Sequence, residues 1–301
     1  MSGGLNQNPL VDGVLINLFA FVSPSASGGT STLHISNVLG TDPSGLSTTV
    51  LNAGGVLTVA GAVDPGSRLR PEGVLNAAGL FFGPVAPGEM VTLLGAGIGP
   101  VSPQQPSGSS TSTVLDETSI LFDGTPAPLL YAALNQVNAI APFGIYGKAS
   151  SQVRITQRGL ILAGLLFPVA EASPAIFTQD GSGVGQGAIV NRDQSLNSPS
   201  NPAIKGSVIT LFATGTGQTD PPGVDGQGAT GTLSKPLLPV SLQIGGVDAK
   251  VLYAGAAPMA VAGLVQVNCI VPLTSPSGLA VPIVLFAGQA GSQAGVTLAI
   301  R

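Results

Sequence analysis

Charge is scarce in this chain. Charged residues are 8% of its 301, with ten Lys or Arg against fourteen Asp or Glu and a net charge of −4, whereas soluble domains typically carry about 25%. The few basic side chains are scattered and form no patch that would neutralise phosphates, which argues against nucleic-acid binding. His34 is the single histidine and Cys269 the single cysteine. One of each excludes an intrachain disulfide and a closed His/Cys zinc site within one chain. A Ser-His-Asp or Cys-His set would have to use His34, which stands between Leu33 and Ile35 in an alternating stretch and reads as an outward strand residue. Tryptophan is absent and tyrosine occurs three times, so a flat aromatic sugar platform is hard to supply. No apolar run approaches the ~20 residues of a transmembrane helix.

What is abundant is glycine, at 43, proline, at 25, and an apolar fraction of 44%. No stretch holds a helical period over three turns. Short Val/Ile/Leu/Thr runs punctuated by Gly and Pro predict an all-β chain with packed cores. A coat of Ser, Thr, Asn, Gln and Gly with little charge repels neighbours weakly and favours association. Cys269 lies in an apolar strand where the matching stretch upstream has Ala139, and it reads as a buried small residue, with an interchain bridge as the alternative.

That matching stretch is the strongest signal in the chain. Residues 120–142 (ILFDGTPAPLLYAALNQVNAIAP) and 242–272 (LQIGGVDAKVLYAGAAPMAVAGLVQVNCIVP) share a strand, a Gly turn, a Leu-Tyr-Ala segment and Gln-Val-Asn-x-Ile-x-Pro. Tyr131 matches Tyr253 and Gln136 matches Gln266, with an insertion near Ala257–Leu264 in the second copy. A repeat this long is a duplicated domain rather than a solenoid, whose units run about 20–50 residues. Flanking strands repeat too: Glu89–Leu94 with the turn Gly95–Gly99, and Val208–Ala213 with Thr214-Gly215-Thr216-Gly217. Pro100 and a Ser/Pro loop follow the first turn, where a dinucleotide site needs a helix, so these glycines predict strand-end turns of positive φ. Gln136, Asn138, Gln266 and Asn268 are expected to satisfy backbone groups where the adjacent hairpin leaves the sheet.

Three segments follow: 1–70, a β-rich N-terminal element; 71–177, the first domain; and 178–301, the second. In the N-terminal element, Thr30–Leu39, Ser47–Leu51 and Val56–Val63 are strand candidates, the last two joined by the hairpin-type turn Asn52–Gly55. Val14–Val22 is apolar on both faces, with Val14, Ile16, Leu18 and Val22 on one and Leu15, Phe19 and Phe21 on the other. Such a strand must be covered on both faces. It also has the length of a signal-peptide apolar core, yet the first Lys or Arg is Arg68. Either a leader has been removed or the native start lies elsewhere.

The stretches at 74–100, 122–143, 173–217 and 244–272 together resemble the Solibacter-type uncharacterised C-terminal domain family of acidobacterial secreted proteins, over roughly 72–301. Each half also resembles an IPT/TIG immunoglobulin-like domain: Pro-Gly, a Val-Thr-Leu strand, a Gly-x-Gly turn and a Gly-Gly-x-x-Ala strand turn. The resemblance implies tandem immunoglobulin-like β-sandwiches in an extracellular or cell-surface protein, and no assigned activity.

The expected function is structural: a self-assembling homopolymer, the subunit of a surface filament, built by donating Val14, Leu15, Ile16, Leu18, Phe19, Phe21 and Val22 to a neighbour's sheet. The alternative is a monomeric adhesion or ligand-binding module for glycan or protein, using loops 101–114 and 218–232. Asp220 and Asp225 in the second loop offer oxygen ligands for a weak Ca²⁺ site, but without an EF-hand pattern they read as solvated acids. No catalytic residue, metal or cofactor is assigned, and enzymatic activity is not expected.

Overall fold

In the computed structural model the described residues are 29–33, 40–41, 47–48, 55–59, 69–107 and 111–301. They form two compact units, Met1–Gly66 and Ser67–Arg301. The described parts of the first unit are four strands: β1 (Gly29–Leu33), β2 (Gly40–Thr41), β3 (Ser47–Thr48) and β4 (Gly55–Val59). The sequence suggests a hairpin between the last two. Instead β4 pairs with β1 and β3 with β2, both antiparallel, so the chain forms nested ladders. His34 and the donor-strand candidates Val14–Val22 lie outside the described residues.

The second unit is all-β and holds two halves. The first contains β5 (Leu69–Asn76), β6 (Met90–Gly95), β7 (Thr118–Phe122), β8 (Thr125–Pro126), β9 (Leu129–Ala133), β10 (Gln136–Ile140), β11 (Ser150–Gln157) and β12 (Leu160–Pro168). They make two four-stranded sheets, ordered β5-β6-β10-β9 and β12-β11-β7-β8. Alternation decides the packing: Ile120 and Phe122 on β7 and Val153 and Ile155 on β11 are buried, and share one core with Val91, Leu93 and Val137 of the other sheet. The sequence suggests a hairpin of Gln152–Gln157 with Leu165–Ala170. The hairpin is present but tighter: Arg158 and Gly159, both at positive φ (53° and 74°), close a two-residue turn of the kind that suits strand twist, and the second strand, β12, starts at Leu160.

The second half repeats this plan with β13 (Ala175–Ile176), β14 (Gly185–Gln186), β15 (Ile189–Val190), β16 (Val208–Thr214), β17 (Thr219–Asp220), β18 (Lys235–Pro236), β19 (Val240–Ile244), β20 (Val247–Ala256), β21 (Val265–Ile270), β22 (Gly278–Ala287), β23 (Ala290–Gly291) and β24 (Val296–Ile300). Matched ladders keep matched registers. Val74 faces Leu93 as Ile189 faces Leu211. Leu130 and Leu252 are each skipped by a bulge opposite the Asn-x-Ile strand.

One difference is set by proline. In the first half, Pro126 and Pro128 have no N–H to give a ladder, and the chain breaks into β8 and β9 on different sheets. Asp248 and Lys250 hold those places in the second half. There β20 runs unbroken, pairing with β19 at one end and β21 at the other, and joins both layers into one folded sheet.

Cys269 is buried in the second core, and burial pushes its thiol up to about 12. At neutral pH only about 10⁻⁵ of it is thiolate. The native thiol is therefore expected to resist a soluble alkylating reagent and to label fully in denaturant, as read by mass spectrometry. Rapid native labelling contradicts the buried position.

Candidate ligand-binding cleft between the two halves

The halves meet through strand ends and glycines. Thr214, the last residue of β16, holds both sides: its Oγ1 accepts from the Met90 N–H at 2.8 Å and donates to the Gly263 carbonyl at 2.9 Å. The Ser173 N–H donates to the Gly215 carbonyl at 2.8 Å, and Asn76 Nδ2 donates to the Ser173 carbonyl at 2.9 Å. The predicted strand-end turns are present, with Gly97, Gly215 and Gly217 at φ of 64°, 76° and 85°. At Gly215 and Gly217 the missing Cβ matters as much as the dihedral. A methyl group there would collide with the Ser173 and Glu171 carbonyls respectively.

The 218–232 loop is fastened to the first half. Asp225 Oδ1 accepts from the Phe143 N–H at 2.9 Å, and Thr111 Oγ1 donates to the Gly226 carbonyl at 2.7 Å. The buried Phe143 ring fits because Gly88 and Gly223 carry no side chain; a Cβ on either would strike it. Asp225 is therefore committed to this clasp. Among the described residues, no group of three or more His, Cys, Asp or Glu is placed to hold a metal ion.

Between the clasp and the strand ends lies a cleft of about 230 Å³. Pro87, Gly88 and Phe143 line it from the first half, and Thr216, Thr219, Gln227, Thr230, Thr232 and Ser234 contribute polar side chains from the second. None of its lining residues carries an ionisable side chain.

The sequence-selected polar residues lie elsewhere. Gln136 Nε2 donates to Asn138 Oδ1 at 2.9 Å, and Gln266 Nε2 to Asn268 Oδ1 at 3.0 Å. Residues i and i+2 of a strand share a face, so each Gln bonds its own Asn side chain to side chain, and Asn268 Oδ1 also accepts from Thr210 Oγ1 on β16 at 2.9 Å, where bonds to the backbone were expected. Loop 218–232 does reach the cleft, while none of the described residues of 101–114 lines it.

Sequence reading missed Glu89. It stands 2% exposed immediately before β6, and its Oε2 accepts from the Ala86 N–H at 2.7 Å. Burial pushes its carboxyl up to about 8, against a smaller lowering by hydrogen bonds from Ala86 and Asn76. Its repeat partner Ser207 is only half-buried, and its Oγ bonds within the same turn to the Ile204 carbonyl, so the repeat carries no signal of the burial.

No helix among the described residues is long and apolar enough to cross a membrane. No protein-family model and no curated protein matches the chain. Among solved structures it is similar to a surface glycan-binding protein from Prevotella bryantii, at 12% identity and a TM-score of 0.21. The match covers 71% of this chain and 37% of that one.

Proposed function

We propose that this chain is a cell-surface module without enzymatic activity that binds a neutral, hydroxyl-rich ligand, such as the end of an uncharged glycan, in the cleft between its two halves. The observation that supports this is the lining: its polar side chains are hydroxyls and one amide, set among main-chain groups, prolines and aliphatic residues, with no ionisable side chain. Hydrogen bonds to neutral partners select a ligand without a charge to desolvate. At about 230 Å³, the cleft is smaller than the roughly 300–1,000 Å³ sites that engulf a drug-sized molecule, so it takes a terminal unit. Phe143 is enclosed and offers no stacking face, which leaves hydrogen bonding to carry the affinity.

Titration calorimetry against neutral and acidic oligosaccharides tests this. A neutral ligand should bind with an affinity that changes little between about 0.1 and 1 M salt, because no ion pair is screened. Thr232→Trp, at an exposed position on the rim, should fill the cleft and weaken binding at least about tenfold without moving the urea midpoint. Preference for acidic ligands, or binding indifferent to Thr232→Trp, overturns the reading.

A further inference from the structure

Scattered along the sequence, three of the ten basic residues meet in the structure. Arg192, Lys205 and Arg301 line one open hollow of about 600 Å³ in the second half. It lies away from the cleft. β16 begins next to Ser207 of the hollow and ends next to Gly215 of the cleft. Its length at about 3.3 Å per residue holds the two sites roughly 20 Å apart.

The backbone beneath these charges is fixed. Arg192 stands in a turn closed by the Gln194 N–H, which donates to the Asn191 carbonyl at 2.9 Å. Asn191 Nδ2 donates to the Asn201 carbonyl at 3.0 Å, and Asn201 Nδ2 to Ser195 Oγ at 2.8 Å. Lys205 and Arg301 flank a parallel bridge between Ala203 and Ile300. There the Arg301 N–H donates to the Ala203 carbonyl at 2.9 Å, and the Lys205 N–H to the Arg301 carbonyl at 3.4 Å. Ser207 Oγ donates to the Ile204 carbonyl at 2.6 Å. The two amides and the hydroxyl of the lining therefore each bond within the protein.

The cations do not. Among the described residues, the ion pairs are Lys148 with Asp123 and Arg158 with Glu117, and neither draws on these three. Asp193 also lines the hollow, but its Oδ1 accepts from both the N–H and the Oγ of Ser195. The cations outnumber it even with the α-carboxylate of Arg301 counted. Like charges gathered in one hollow repel one another and raise the local potential for an anion. Two guanidinium forks and an ammonium group match the several oxygens of a phosphate or sulfate better than the two of a carboxylate. The hollow is larger than such an ion and falls in the range of sites that hold a drug-sized ligand, so the oxyanion is the charged end of a larger molecule. A nucleic-acid strand needs cations spaced along several phosphates, whereas one cluster answers one group. We propose that this hollow binds a phosphate or sulfate ester through Arg192, Lys205 and Arg301. The site does not depend on any ligand in the cleft.

Amide NMR of the full chain, titrated with inorganic phosphate at constant ionic strength, tests the inference. The Arg192, Lys205 and Arg301 signals should shift on one saturating curve while those of Thr216 and Gly263 stay still, which separates this site from the cleft. Phenyl phosphate, whose ring can occupy the rest of the hollow, should bind at least about threefold more tightly than phosphate. Lys205→Gln should weaken phosphate binding about tenfold. Asp193→Asn keeps the acceptor for Ser195 and removes the opposing charge, so it should tighten binding about threefold, a gain that a misfolded variant would not show. Sedimentation with phosphatidylcholine vesicles only when they contain phosphatidic acid assigns the group to a lipid headgroup, and phenyl phosphate binding without sedimentation assigns it to a soluble ester. The absence of a saturating shift, acetate acting as strongly as phosphate, or an affinity unchanged by Lys205→Gln overturns the proposal.

Discussion

Gly215→Ala should cost far more stability than Gly246→Ala, although both replace a glycine of nearly the same conformation. The two φ values are 76° and 78°. A left-handed backbone costs an L-residue roughly 1–2 kcal/mol, and Gly246, with nothing within 4 Å of its absent Cβ, should show about that loss. At Gly215 the methyl group also runs into the Ser173 carbonyl, which cannot retreat because its oxygen accepts from Asn76 Nδ2. Displacing it opens the Ser173–Gly215 hydrogen bond and strains the join between the halves. We expect about 3 kcal/mol or more beyond the Gly246 value, in the range of steric clash in a packed region. Urea midpoints of the two variants read the difference, and hydrogen exchange at the Met90 and Ser173 N–H groups places it at the junction. Equal costs would show that the segment yields freely.

Glu89 should make stability fall as pH rises through the neutral range. Its folded pKa, about 8, lies above the ordinary glutamate value of 4.5. The folded state therefore binds more protons between those limits, and the slope of stability against pH is negative there. The contribution is fully present below about 4.5, declines up to about 8, and stays lost above it. A tenfold change in proton affinity is worth about 1.4 kcal/mol; allowing for relaxation of the site, a total on the order of 3 kcal/mol is expected. Asp123, Asp180 and Asp193 are lowered instead, Asp123 chiefly by Lys148 and the other two by Ser182 and Ser195. They act below the ordinary carboxylate range, outside this window. Glu89→Gln keeps the acceptor for the Ala86 N–H and removes the ionisation. Its thermal midpoint should be nearly flat from about pH 5 to 8 and higher than that of the native protein at alkaline pH. An unchanged slope in the variant would sink the assignment.

Local pattern carried the architecture. Gly/Pro punctuation and short apolar runs identified β-strands, and the repeated Leu-Tyr-Ala and Gln-Val-Asn segments identified duplication, because strand period and turn chemistry are properties of a few consecutive residues. Positive φ at Gly97, Gly215 and Gly217 and the burial of Cys269 were readable for the same reason. Pairing was less so. The N-terminal ladders nest instead of forming the nearest hairpin, because a strand's sequence does not name its neighbour. Gln136 and Asn138 found each other, since a side chain's partner depends on which face the strand presents.

The cleft, the buried charge site and the edge strand were decided by tertiary structure. Thr216, Phe143 and Gly88 are far apart in sequence and converge only because two sandwiches join end to end at Gly215 and Gly217. Glu89 reads as an ordinary strand-start acid until folding buries it beside Ala86 and Asn76. β12 is an edge strand because, among the described residues, no strand pairs with its outer side from Leu160 to Phe167, and which strand lies at an edge is visible only once the others have been placed.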